Sequence, residues 1–402
     1  MKKTNYLFTL ALLTAGPLCA LKTSAEESEN QLLTAISGTT LSGYVDTSMG
    51  WQFGDKKTSA GRVNDAADRQ NGFNLNVVQL RISKELDEDA SLWSAGYAAS
   101  LLMGPTASEL AYVSGNNDFA LQHAYVDLRA PLGNGLNFRF GAFESLTDFE
   151  GLETYENPNY SRSYGSYLAH GQSVGGLVSY EFDLNGWLLE LTAGIANAYD
   201  NPTINERASH SARLSYMGAV SLIFPESTGF LEGTELFVSV VNGVSPDGDE
   251  DIAPNSRPST VGYNAWLLMP LPLEGFSWAF SHNHVCNTSR GYTDPEDASR
   301  WSNAYGVYLI YEATDRLTFA NRIEYADGSP GTYNQEGIHV DWGTKQDQFL
   351  ANTFTASYRL WENVLTRAEF RWDRDLSSNR RMSDDGSRNN AFGVAANILY
   401  RF

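Results

Sequence analysis

The last twelve residues, AFGVAANILYRF (391–402), decide how the rest of the chain reads. Phe392, Val394, Ala396, Ile398, Tyr400 and Phe402 fall on one side of a period-2 ladder. Gly393, Ala395, Asn397, Leu399 and Arg401 fall on the other. Alternation of this kind marks a β-strand with one apolar face. Chain ends usually fray and carry polar residues, so a terminal strand this apolar must be docked. Two settings would dock it. One is the last strand of a soluble sandwich. The other is the closing strand of an outer-membrane barrel, whose apolar face meets lipid.

The same ladder recurs upstream. In LSGYVDTSMGWQF (41–53), Leu41, Val45, Thr47, Met49, Trp51 and Phe53 alternate with Ser42, Tyr44, Asp46 and Ser48. In NVLTRAEFRWD (363–373), Val364, Thr366, Ala368, Phe370 and Trp372 oppose Leu365, Arg367, Glu369, Arg371 and Asp373. About sixteen such segments (roughly 14–18) of ~9–14 residues can be drawn, near the length of a tilted membrane strand. They sit near 41–53, 73–85, 91–103, 119–130, 136–144, 172–182, 186–197, 211–224, 235–243, 260–269, 275–285, 302–312, 316–327, 348–360, 364–374 and 391–402. In 73–85 the apolar phase switches from Phe73 and Leu75 to Val78, Leu80 and Ile82, which predicts a bulge or a late strand start.

The connections carry a second, independent signal. After even-numbered segments they are mostly short, as in PLGNG, LNG, LPLEG, TDR and WEN. After odd-numbered segments they are mostly long, the longest being 145–171. Short periplasmic turns at one rim and long extracellular loops at the other is the layout of an outer-membrane barrel. Aromatics near strand ends, among them Trp93, Tyr180, Trp187, Phe224, Phe276, Tyr311, Trp361 and Phe402, suit the membrane–water boundary. The fold class expected is therefore all-β, an antiparallel up-and-down transmembrane barrel. Closure matters because hydrocarbon offers no partner to an open sheet edge.

Composition agrees. The chain holds 35 Gly, 21 Tyr and 20 Phe against 6 Met, a balance that favours strands over helices. The mean hydropathy of −0.33 is compatible with a barrel, because only alternate residues face lipid. The longest apolar run after the first residues, AWLLMPLPL (265–273), is interrupted by Pro270 and Pro272, so no membrane helix is expected. The start reads as a leader: Lys2 and Lys3, an apolar stretch from Tyr6 to Leu13, then Thr23-Ser24-Ala25. The expected organisation is a cleaved signal peptide at 1–25, a short periplasmic segment at 26–40, and the barrel at 41–402. Without the three leader lysines, 25 of the 28 basic residues remain against 48 acids, a formal charge of −23. That balance argues against nucleic acid as a partner. One cysteine, Cys286, remains beyond the leader, so no internal disulfide is available.

The faces opposite the apolar ones should point inward. They carry Arg81, Arg129, Arg139, Arg213, Arg322, Arg359, Arg367 and Arg371. They also carry Asp46, Asp127, Glu190, Glu324, Glu369 and Asp373. So many charges do not fill a dry core, and sixteen strands can enclose water. These fourteen residues are the expected pore lining, unless they serve only to pair across neighbouring strands. The loop 145–171 is the candidate constriction, through Tyr155, Tyr160, Arg162 and Tyr164; an external flap is the alternative.

The region around that loop also carries a resemblance. RFGAFESLTDFEGLETYENPNYSRSYGSYLAHGQSVGGLVSYEF (139–182) resembles the OmpL-like family of outer-membrane β-barrel porins. The matching residues are Gly141, Phe143, Glu153, Asn157, Tyr160, Ser161, Arg162, Ser163 and Tyr164. LQHAYVDL (121–128), FANRIEYADG (319–328) and RAEFRWD (367–373) resemble other strands of the family. Ala142 departs from it, standing where the family often has Lys. The resemblance implies porin-like transport without naming a solute. A terminal Phe402 would be the assembly signal read by the outer-membrane assembly machinery.

Other motifs weigh less. GQSVG (171–175) has the spacing of a hydrolase nucleophile, but that chemistry needs a strand–turn–helix elbow and GLVSYEF follows as a strand. His282 and His284 share a face that continues Phe276, Trp278 and Phe280, which places them above the lipid band. Asp247, Asp249 and Asp251 open like a calcium loop, but Ile252 and Pro258 stand where Gly and Glu are needed. No metal, cofactor or catalytic residue is expected. The reading is a porin for small hydrophilic solutes, in contact with lipid and able to form a homotrimer. A closed barrel acting as receptor or anchor is the rival, and an outer-membrane enzyme a weaker one.

Overall fold

The computed structural model describes residues 38–53, 71–87, 92–107, 112–113, 119–144, 146, 148–169, 171–199, 204, 214–244, 259–288, 300–329, 333, 346–377, 382 and 387–402. The leader, most of the 26–40 segment, Arg213 and the three aspartates at 247–251 lie outside these residues.

Sixteen long strands and one two-residue strand form a single sheet. The long strands are β1 (Thr40–Phe53), β2 (Gly72–Lys84), β3 (Ser94–Met103), β4 (Phe119–Ala130), β5 (Leu136–Glu144), β6 (Gln172–Leu184), β7 (Trp187–Ala196) and β8 (Ser215–Ile223). They continue as β9 (Glu235–Val244), β10 (Ser259–Pro270), β11 (Phe276–Thr288), β12 (Arg300–Glu312), β13 (Leu317–Gly328), β14 (Asp347–Trp361), β15 (Val364–Asp375) and β16 (Asn390–Arg401). Each pairs antiparallel with its sequence neighbours, and β16 pairs with β1 from Tyr44↔Arg401 to Phe53↔Phe392, which closes the ring. The strand Tyr112–Val113 pairs with Leu121 and Ala120 of β4. Among the described residues no helix is long and apolar enough to cross a membrane.

The terminal strand docks in that seam. Phe402 donates its N–H to the Gly43 carbonyl at 3.0 Å and accepts from the Gly43 N–H at 3.1 Å. The terminal residue is thus paired through its backbone while its ring stays exposed on the outer face. The expected bulge is present: the register shifts where Asp46 and Thr47 face Val77 and Leu75. Asn76 and Val77 are then both buried, and this absorbs the change of apolar phase.

The loop-length alternation holds around the ring. Asn185 and Gly186, both at positive φ, form the two-residue turn between β6 and β7, as a tight hairpin requires. The β8–β9 connection is longer and contains a 3-10 turn at Glu226–Leu231. On the outer face Leu191, Val220, Val238, Val240, Ile323, Phe354 and Ile398 are exposed side chains. Apolar exposure on this scale is the signature of a lipid-facing wall. Phe276, Tyr311, Phe319 and Phe354 stack in sequence across β11–β14 with centroids 4.1, 6.5 and 6.0 Å apart, an aromatic girdle near the short-turn rim.

Candidate functional site

The site is the lumen and the loop that enters it. Residues 148–169 fold inward and contact β1, β2, β4, β5, and β10 to β16. An irregular segment inside a barrel must find partners for its peptide groups. Here the inward charges of the wall supply them.

Register explains how. Arg322, Thr353 and Arg371 lie side by side across β13, β14 and β15. The two arginines are thus about two strand spacings apart, ~10 Å. The strand between them offers only Ala351, Thr353 and Thr355 on its inner face, so a groove remains. The loop backbone beds in that groove. Arg322 donates to the Ser161 carbonyl at 2.7 Å and the Arg162 carbonyl at 3.0 Å. Arg371 donates to the Arg162 carbonyl at 2.7 Å, and Arg367 to the Thr154 carbonyl at 2.6 Å. Carboxylates receive the N–H groups. Glu369 accepts from Tyr160 at 2.8 Å and Ser161 at 3.1 Å, and Glu324 from Tyr164 at 2.6 Å.

The charges also pair with one another. Arg322 meets Glu150 of the loop at 2.6 Å and Glu324 at 2.7 Å. Arg371 meets Asp373 at 2.8 Å. Arg322 is 0% and Arg371 1% exposed, so the loop covers both guanidinium groups. Buried pairs of this kind add little net stability, but removing one partner strands a charge. Their value here is to fix where the loop lies.

The segment that carries the resemblance is the same device. Gly141 has a φ of 132°, and a Cβ there would collide with the Ala124 carbonyl oxygen. Phe143 is buried against Ala98, Tyr125 and Leu177. Glu153 accepts from Gln79 at 2.6 Å and Gln122 at 3.2 Å. Asn157 donates to the Gly151 carbonyl at 3.0 Å. Ser163 caps the short helix α1 (Tyr164–Leu168) by accepting from the Ser166 N–H at 3.0 Å.

The four loop candidates have different surroundings. Tyr160 accepts from Asn76 at 3.1 Å and lies under Arg367. Tyr164 stacks on Phe349 with centroids 5.6 Å apart and donates to Asp373 at 3.1 Å. Tyr155 sits edge-on to Tyr44 at 5.3 Å. Arg162 turns back into its own loop, donating to the Gly151 carbonyl at 2.8 Å and the Leu152 carbonyl at 2.5 Å.

The wall candidates divide into groups. Arg322, Glu324, Arg367, Glu369, Arg371, Asp373 and Asp46 face inward and are buried under the loop, with Asp46 held by Asn397 at 2.8 Å. Arg139 and Asp127 form a two-pronged pair at 2.9 Å on the other side of the lumen. Glu190 accepts from Thr192 at 3.3 Å, and Arg81 is half-buried. Arg129 donates to the Asn134 carbonyl at 3.1 Å in the adjoining turn. Arg359 is exposed at the short-turn rim and donates to the Asp315 carbonyl at 3.3 Å. Arg401, whose guanidinium lies 4.9 Å from the Tyr155 ring, is an inward residue outside the expected lining. The closing ladder had nonetheless placed it on the inner face.

The set-aside motifs are resolved by the strands. Ser173 lies inside β6, paired with Phe143, and no elbow forms. His282 and His284 both bond the Asn303 side chain, at 3.3 and 2.8 Å. Among the described residues no cluster of three metal-ligating side chains exists.

Comparison with known proteins adds the family. The model of the family described as "Putative beta-barrel porin-2, OmpL-like" matches residues 38–402. Among solved structures, an anion-selective porin from Comamonas acidovorans is similar in fold, with a TM-score of 0.57 and 12% identity, covering 90% of this chain and 99% of that one. The outer membrane channel DcaP of Acinetobacter baumannii aligns with a TM-score of 0.53 and 12% identity, over 90% and 97% of the two chains. The trimer form of OmpT from Vibrio cholerae gives 0.53 and 9% identity, over 90% and 99%. At these identities the likeness speaks for the fold. Among curated proteins none matches the sequence.

Proposed function

Because the chain belongs to the OmpL-like β-barrel porin family, we propose that it is a porin whose loop 148–169 sets the narrowest part of an aqueous path across the outer membrane. Solutes would pass by diffusion, sieved between the loop and the wall formed by β6–β9. The observation that carries this is the division of the lumen. The loop covers most of the wall, while Thr192 and Ser221 opposite it, and Arg81 at its edge, keep partial exposure. Charges on the accessible side would bias which ions pass.

Residues 1–25 would act as the export leader, and Phe402 as the assembly signal. A trimer is a reasonable assembly, since OmpT of Vibrio cholerae has a trimer form. A Phe402→Ser variant is expected to accumulate less in the outer membrane, measured by fractionation against the parent protein.

The test is purified protein in a planar bilayer. Ohmic steps of nanosiemens scale are expected. A flat trace at every voltage from correctly folded barrels would favour the rival reading, a closed receptor or anchor whose loop acts as a plug.

A further inference from the structure

We propose that Arg81, Arg401 and Tyr155 form a binding site for a small organic carboxylate on the short-turn side of the lumen. The proposal rests on the porin reading and names the solute chemistry that reading leaves open.

The two arginines flank β1. Arg81 pairs in register with Ser42, and Arg401 with Tyr44. Their backbones lie two strand spacings apart across β1 and two residues apart along it, together ~12 Å, within the joint reach of two arginine side chains. Arg401 lies 4.9 Å from the Tyr155 ring, and Tyr155 rests edge-on against buried Tyr44. Neighbouring contacts fix Tyr155 in place: Arg367 holds the Thr154 carbonyl, and Gln79 and Gln122 hold Glu153.

What sets the pair apart is the lack of a partner. The inward arginines Arg139, Arg322 and Arg371 bind carboxylates. Arg129, Arg359 and Arg367 donate to amide or carbonyl oxygens. Among the described residues, the guanidinium groups of Arg81 and Arg401 have neither a hydrogen bond nor an ion pair. Both act electrostatically on Tyr155 and on exposed Glu156, yet Glu156 forms no ion pair with either. Two unpaired guanidinium groups beside one fixed phenol ring, in a chain of net charge −20, mark a place built to receive an anion. Guanidinium forks match a carboxylate in two-pronged geometry, and the ring offers a face for the apolar part of the solute. Glu153 and Glu156 nearby disfavour an anion of higher charge, such as phosphate.

The experiment uses full-length protein in a planar bilayer, with chloride current titrated by sodium benzoate and, separately, by sodium phosphate. Benzoate is expected to reduce the chloride current saturably in the parent channel, and phosphate to do so only at higher concentration. The Arg81→Gln/Arg401→Gln double variant should need about tenfold more benzoate for half-block. Glu156→Gln should need severalfold less, since a competing carboxylate is gone. A silent parent protein would defeat the porin reading itself. A conducting parent that benzoate does not block, or an unchanged half-block in the double variant, overturns the site and leaves the porin reading standing. Equal block by phosphate overturns the carboxylate assignment. If the double variant does not insert, the Glu156→Gln titration decides: tighter block supports the site, and unchanged block overturns it.

Discussion

The two sides of the lumen carry similar residues and use them differently. On β13–β15, Arg322, Glu324, Arg367, Glu369, Arg371 and Asp373 are buried by the loop and bonded to its backbone. On β2–β7, Arg81 stays half-exposed, and Arg139 pairs with a neighbouring strand residue rather than with the loop. Inward direction is therefore not enough to make an arginine a pore residue. What decides is whether another segment of the chain lies over it. One wall holds the loop still, and on the other, side chains keep partial exposure.

The largest test of that contrast is Arg322→Met. It would leave Glu150 buried without its cation, and Glu324 with only the longer contact to Arg371 at 3.7 Å. A loss of about 3–5 kcal/mol in loop anchoring is expected. Detergent-solubilised protein should melt at lower temperature, and its single-channel current should become larger and noisier. An unchanged melt and a quiet channel would break the distinction between the two walls.

Glu369→Gln comes next. It weakens the acceptor for the Tyr160 and Ser161 N–H groups and for Thr355. About 1–3 kcal/mol is at stake. Hydrogen exchange should quicken at residues 160–162 and stay slow in β7 and β8, whose amides are held by the ladder alone.

A smaller effect should follow pH. Burial and neighbouring Glu150 push the Asp148 carboxyl up to about 7. The unfolded value is about 3.9, so between these values the folded protein binds more protons than the unfolded one. This group's contribution is full below the unfolded value and is lost as pH rises towards about 7. Melting should therefore be higher at acid pH than above neutrality, and Asp148→Asn should flatten that difference. An identical pH profile in the variant would remove Asp148 from the account.

The smallest expected change is in the melting of Arg81→Gln. With no partner among the described residues to lose, its stability should stay within about ±0.5 kcal/mol of the parent. A large drop would mean that the accessible wall is as structural as the covered one.

Much of this was legible beforehand. Alternation placed sixteen strands, with 119–130 and 136–144 matching the observed β4 and β5 end to end. The change of phase near Leu75 announced the bulge, and loop lengths announced the two rims. Arg401 is legible in the same way, since the closing ladder already puts it inside. Other features were not legible. Nothing in YSRSY says that Arg162 bonds its own loop while its carbonyl binds Arg322 and Arg371. Arg359 keeps the inward phase, yet it sits at the rim, where that phase no longer implies a lumen.

The barrel can be read from the residues alone, because a period-2 pattern is a local property and each strand states its own two faces. The path through the barrel was decided only by tertiary structure. Arg322 and Glu150 are 172 residues apart, and Arg371 and the Arg162 carbonyl 209. Contacts at such separations depend on how the ring closes and where the loop lands inside it, which no local pattern encodes.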